Sequence, residues 1–159
     1  MADGVLVDAN VLFSRTLRDW LFMLRNQTAG GMYTVYATED VIVETMYWLR
    51  RKNPKAPGTL IARVHDRIVK QLDDRITDFE IDGSYPGSDP DDAHVHAAAV
   101  ASRASVLLTA DSGFTDLDDA ALDALPYEVQ TPDSFFLLAD DASGAAVREV
   151  TRQQLDYWY

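Results

Sequence analysis

The nine residues from Val5 to Phe13, VLVDANVLF, constrain the fold more than any other stretch. Val5, Leu6 and Val7 have the apolar, β-branched composition of a buried strand. The run stops at a bare carboxylate, Asp8, and a helical pattern starts at once, with Asn10 suited to capping it. Open α/β sheets place their ligands at such a point, where a buried strand ends and a helix leaves. The rest of the chain is therefore read for acids that converge on Asp8.

The order of elements supports such a sheet. A first helix is expected from about Asn10 to Arg25, with an apolar face of Val11, Leu12, Leu17, Trp20, Leu21 and Leu24. Tyr33 to Tyr36 is ambiguous between strand and loop. A second helix opens near Thr38, with Glu39 and Asp40 in its first turn, and ends in Arg50, Arg51 and Lys52 before Asn53-Pro54. Pro57 opens a third helix through Leu72. Ile76 to Ile81 reads as a strand, and Asp82 to Pro90 as a Gly-, Ser- and Pro-rich loop. Asp91 to Arg103 is a fourth helix, and Val106 to Thr109 a second buried strand. Asp116 to Leu125, Tyr127 to Val129 and Pro132 to Leu138 read as short helix, strand and helix. The segment from Ser143 reads as a helical tail ending in Tyr157, Trp158 and Tyr159. Strands alternating with helices predict a three-layer α/β sandwich with a central, mostly parallel sheet flanked by helices. Right-handed crossovers bring Asp8 and the loop after Thr109 to one sheet edge. One domain is expected over residues 1–140, with residues 141–159 packed on it as a tail.

Four acids stand out. Asp8 ends the first strand, and the bland account of it alone is a turn or cap residue. Glu44 lies in line with Val41 and Trp48, on what the spacing makes an apolar stripe, where a carboxylate needs a partner or a cation. An ion pair with Arg15 or Arg18 would satisfy it without any function. Asp91 and Asp92 open the fourth helix, where acids are favoured anyway. Asp92 lines up with Val95 and Ala99 and is the functional candidate, Asp91 the cap. Asp111 follows the strand VLLT as Asp8 follows VLV; Asp116, Asp118 and Asp119 in the next loop are solvated by default, with Asp116 the one that could reach the site. Acids so gathered do not all stay ionised without a counter-charge. An all-carboxylate set suits Mg²⁺ or Mn²⁺, and such a site suits phosphodiester hydrolysis, the metal activating water and stabilising the leaving oxygen.

In order, VLVDANVLF, VIVETMYWLRR, DPDDAHVHAAA and VLLTADSGF resemble the PIN domain, over about Val5 to Phe136. That family includes metal-dependent ribonucleases and the VapC-type toxins of toxin–antitoxin pairs. The resemblance implies that Asp8, Glu44, Asp92 and Asp111 hold Mg²⁺ or Mn²⁺. It places Asn10 and Thr109 beside them in support, and implies an RNA substrate, a small antitoxin and a homodimer. At Gly113-Phe114 the chain departs from the family, where many relatives keep a further acid; Asp116 is the candidate replacement.

The chain has 26 acids against 14 Lys and Arg, a net charge of -12, which opposes general nucleic-acid binding at long range. Local cations must therefore capture RNA. Arg15 and Arg18, on the helix leaving Asp8, are the expected substrate-binding pair; Arg50, Arg51, Lys52 and Lys55 form a second cluster. His94 and His96 are two residues apart, point apart on a helix and are set aside. The absence of cysteine fits a reducing cytoplasm, and no apolar run approaches the ~20 residues that cross a bilayer. No signal peptide is expected. Two rival readings stand: a PIN-fold RNA-binding or scaffold protein without strong catalysis, and a phosphatase with an aspartyl nucleophile at Asp8. The second usually wants an acid two residues on, where this chain has Asn10.

Overall fold

A computed structural model describes residues 3–158. Its centre is β1 (Asp3–Val7), whose Val5, Leu6 and Val7 are fully buried. Complete burial of such side chains is worth ~1.5–3 kcal/mol each. β1 pairs in parallel on both sides: Val5 lies opposite Val35 of β2 (Tyr33–Ala37) and opposite Val106 of β4 (Val106–Leu108). With β3 (Asp74–Arg75) beyond β2 and β5 (Glu128–Gln130) beyond β4, the sheet order is β3-β2-β1-β4-β5, all parallel. Helices flank it, giving the expected α/β sandwich. The order reverses at β1, so the switch point lies between the carboxyl ends of β1 and β4.

The first helical stretch is two helices, not one. α1 (Ala9–Phe13) stops at Ser14, whose backbone is extended and whose hydroxyl accepts from the Leu17 amide at 3.4 Å to start α2 (Arg15–Gln27). A serine able to cap is enough to break a continuous apolar pattern. Thr38 caps α3 (Glu39–Lys52) through the Val41 amide at 3.1 Å, and acids in the first turn and cations in the last agree with the helix dipole. α4 (Gly58–Gln71) follows Pro57.

The expected strand at Ile76–Ile81 is absent; β3 is two residues long and precedes it. Only the Ile76 amide extends the ladder, to the Ala37 carbonyl at 2.9 Å. β2 ends there and turns into α3, leaving the later residues no strand to pair with. Ile76, Phe79 and Ile81 are spaced three and two apart, so they share no single strand face.

A 3₁₀ turn (Pro90–Asp92) leads into α5 (Ala93–Ala101). After β4 come α6 (Ser112–Thr115) and α7 (Asp119–Ala124), and after β5 the long α8 (Pro132–Trp158), broken at Ser143 by a non-helical backbone (φ -154°, ψ 71°). The second half of α8 buries Ala146, Val150 and Gln154, and the Gln154 amide reaches the Met23 sulfur on α2 at 3.4 Å. Tyr159, the last of the terminal aromatic residues, lies outside the described residues.

Candidate active site

The two strand ends at the switch point are built alike. Asp8 follows β1 and caps α1, one carboxylate oxygen accepting from the Ala9 amide at 2.8 Å. Asp111 follows β4 and caps α6, accepting from the Gly113 amide at 2.9 Å. Between them stands Thr109, fully buried, which donates to the second Asp8 oxygen at 2.9 Å and accepts from the Asp111 amide at 3.0 Å. Asn10, inside α1, completes the link: its Nδ2 lies 3.3 Å from Asp8 and 3.2 Å from Thr109, and its Oδ1 accepts from the Ala110 amide at 3.0 Å. Asn10 is thus a brace between strand ends, and the helix cap expected there is Asp8 itself.

Asp8, Glu44, Asp92 and Asp111 all line one open cleft of about 930 Å³, together with Asn10, His94 and Asp89. Asp92 is buried at the start of α5, and the Tyr85 hydroxyl lies 3.3 Å from it. Among the described residues none of the four acids has a Lys, Arg or His within ion-pair distance. Burial pushes the Asp8 carboxyl above the ordinary range against the hydrogen bonds from Thr109 and Ala9; the Asp111 charge adds to the rise. Asp92 is pushed up to about 6, by burial first and then by Asp111, Asp89 and Asp8. Asp8, Asp92 and Asp111 therefore repel one another, with His94 alone acting the other way on Asp8 and no Lys or Arg lining the cleft among the described residues.

Glu44 reaches the cleft in a different way. Its expected place on a buried stripe is wrong: Glu44 is exposed, with Val43, Tyr47 and Trp48, while α3 packs inward through Val41, Ile42 and Thr45. The helix is turned so that Glu44 faces the cleft, not the core. No three acidic or histidine side chains among the described residues stand close enough to share one ion. Asp8 and Asp111 are each held to a backbone amide, and Glu44 comes from the separate α3 wall. In kind, the donor set still fits a hard divalent cation: all carboxylate, without an ion-pair partner among the described residues, and with Asp8 and Asp92 raised in pKa by burial first and by neighbouring acids second.

Other expected site residues stand outside this cleft. Asp116 is exposed and does not line the cleft. Arg15 and Arg18 line a separate groove of about 330 Å³ with Arg67, Gln153 and Gln154. Arg18 donates to the Leu12 carbonyl at 2.6 Å, and Arg15 lies over the rings of Tyr157 and Trp158, bonded to the Tyr157 hydroxyl. Side chains on α2 leave in its own phase, set by the break at Ser14, and these two point away from Asp8's cleft. Asp91 is exposed and is not the cap; Asp89 is, through the Asp91 amide at 2.9 Å. The signal was in the sequence, since Asp89-Pro90 is a cap followed by proline at the first helical position.

Two histidines read alike in sequence divide. His96 is buried between Ser84 Oγ at 2.9 Å and the Tyr127 hydroxyl at 2.7 Å, a structural role. His94 lines the cleft, with a buried Nδ1 that has no hydrogen-bond partner. Tyr85 carries no sequence signal, since it lies in a loop without periodicity. Its hydroxyl donates to the Gly113 carbonyl at 2.7 Å. Gly113 accepts a side chain only if the Asp92 carboxylate shifts. A Cβ there would come 2.0 Å from Asp92 Oδ2 and 3.1 Å from the Tyr85 hydroxyl, forcing the carboxylate to move.

A parallel α/β domain with an acidic cleft at its switch point is the class that fold and site define. A family model for the PIN domain matches residues 4–113, and the chain belongs to that family. PIN domains are generally nucleases. No curated protein and no solved structure matches the chain.

Proposed function

We propose that this protein is a divalent-metal-dependent endoribonuclease. The observation that carries the reading is the set of carboxylates at the switch point, Asp8, Asp92 and Asp111, which share one cleft, lack any cationic partner among the described residues, and leave Asp92 raised to about 6. An ion pair or a cap alone gives no reason to crowd buried like charges. Asp8, Asp92 and Asp111 are the residues that would hold Mg²⁺ or Mn²⁺, and Glu44 offers a fourth carboxylate from α3. When bound, such an ion supplies positive charge to the phosphate oxygens and lowers the pKa of water. Thr109 and Asn10 hold the Asp8 carboxylate in place, as hydrogen-bonded supports of ligating groups do. The resemblance to VapC-type toxins is what supports a toxin role, a small antitoxin partner, a homodimer and a cytoplasmic place of action.

The test is incubation of the purified chain with cellular RNA and Mn²⁺, beside an EDTA control and Asp8→Asn. Cleavage that needs both the ion and Asp8 is expected. Cleavage that survives either control, or its absence from the unaltered chain, overturns the reading.

A further inference from the structure

The cleft is mainly acidic, with an aromatic group of Phe13, Tyr47 and Trp48 in its lining. On α3, Tyr47 and Trp48 stand three and four residues beyond Glu44, one turn further along the same face. Both line the cleft, and both are about half exposed, 53% and 46%. Their rings meet edge to face, with centroids 5.2 Å apart. Arg51 lies over both, 5.7 Å from the Tyr47 ring and 5.8 Å from the Trp48 ring, and donates to the Tyr47 hydroxyl at 2.9 Å. Lys52 lies 5.3 Å from the ring of Phe13, which lines the cleft from α1. Neither Arg51 nor Lys52 has an acidic partner among the described ion pairs. Arg50 differs: it is spent on the carbonyls of Asn53, Pro54 and Ala56.

We infer that this α3 end of the cleft is a base-stacking subsite for single-stranded RNA, with Trp48 and Tyr47 as the platform and Arg51 and Lys52 as phosphate contacts. The inference rests on the ribonuclease reading of the acidic group and extends it to how substrate is held. A nucleotide pairs a flat base with an anion, and this surface pairs exposed rings with unpaired cations. A purely apolar partner would have no use for those cations. Charge makes the same point. A chain of net charge -12 repels RNA over most of its surface, so capture needs a local cationic edge. Arg15 and Arg18 line another groove, whereas Arg51 and Lys52 stand beside the residues of the cleft.

The experiment uses full-length Asp8→Asn, so that binding is read without cleavage. Fluorescence anisotropy compares a short single-stranded oligoribonucleotide with an abasic oligomer of the same length. The base-bearing strand should bind more tightly, and adding Trp48→Ala should weaken it by on the order of tenfold while hardly changing the abasic one. Trp48→Phe should restore most of the affinity. Thermal melts equal to those of the parent exclude misfolding of these surface variants. Equal affinity for the two oligomers, or no effect of Trp48→Ala, overturns the inference and leaves the aromatic face to a protein partner. Trp48-dependent binding in a chain that never cleaves RNA would uphold the subsite and defeat the ribonuclease reading alone.

Discussion

The two walls of the cleft were made by different physics. On the sheet wall, Asp8 and Asp111 sit where a strand stops, and each is held to the amide of its following helix. Their positions follow from backbone geometry within a few residues. On the helix wall, Glu44, Tyr47 and Trp48 owe their place to the rotation of α3, which is fixed by what Val41, Ile42 and Thr45 bury. On the sheet wall Asp8 is buried and its charge is held at a cost; the helix wall is exposed and holds its groups freely. The sheet wall should therefore trade stability for function, while the helix wall should carry function alone.

Asp8→Asn is the largest test of that contrast. Mn²⁺-supported cleavage should fall by on the order of 10³ or more. The thermal midpoint at neutral pH should rise, since a buried charge repelled by Asp111 is removed. A lower midpoint would mean that the carboxylate is structural, and the contrast would fail. Glu44→Gln should cost cleavage about 10- to 100-fold, with stability unchanged within about 0.5 kcal/mol, as for other exposed positions. If Glu44→Gln shifts the midpoint as Asp8→Asn does, the two walls are not distinct.

Gly113→Ala comes next. The added methyl meets Asp92 Oδ2, so the carboxylate must rotate away from its place beside Tyr85. Cleavage should drop about tenfold, in the range of lost supporting contacts, with the RNA affinity of an Asp8→Asn background nearly unchanged. Loss of affinity instead would place Gly113 in substrate binding.

The same contrast explains what could be read in advance. Val5–Asp8 and Val106–Asp111 were legible because a buried strand ending in an acid is a local pattern, and the parallel sheet followed from two such units. Asp92 was legible from its register with Val95, both buried. Spacing puts Glu44 on a buried stripe with Trp48, whereas Trp48 is exposed in the cleft and Glu44 with it. An aromatic side chain on a helix does not say whether it packs or recruits. Arg15 and Arg18 line another groove because Ser14 restarts the helix in a new phase, which apolar spacing alone does not reveal. Tyr85 left no trace, since loops place side chains by contacts made only after folding.

Asp92 gives a test by pH. In the folded chain it protonates near 6, above the ordinary carboxylate value, so between pH about 6 and about 4 the folded state binds more protons than the unfolded one. Without added metal, the thermal midpoint should therefore increase as pH is lowered from 7 through that window, against the usual acid destabilisation by paired carboxylates. Comparison with Asp92→Asn isolates the effect: the variant should be more stable at pH 7, and the difference should vanish towards pH 4. Cleavage with Mn²⁺ should fall below pH about 6, as the carboxylate takes up its proton. A pH response identical in the two chains would place Asp92 in an ordinary solvated setting.

The smallest expected effect is at Arg18, and it is informative for that reason. Arg18 is desolvated, and its pKa is lowered by burial, with only Asp19 acting the other way against Arg15 and Arg67. It holds the Leu12 carbonyl at the end of α1. Arg18→Ala removes that hydrogen bond, so a stability loss of about 1 kcal/mol is expected. RNA binding and cleavage should stay within about twofold, because the groove it lines is not the acid cleft. Arg51→Ala should do the reverse, weakening binding of single-stranded RNA at unchanged stability, since Arg51 contacts exposed rings and no core group. If Arg18→Ala weakened RNA binding more than Arg51→Ala, the cations that serve the cleft would be those of α2. The helix wall would then lose its claim to the substrate.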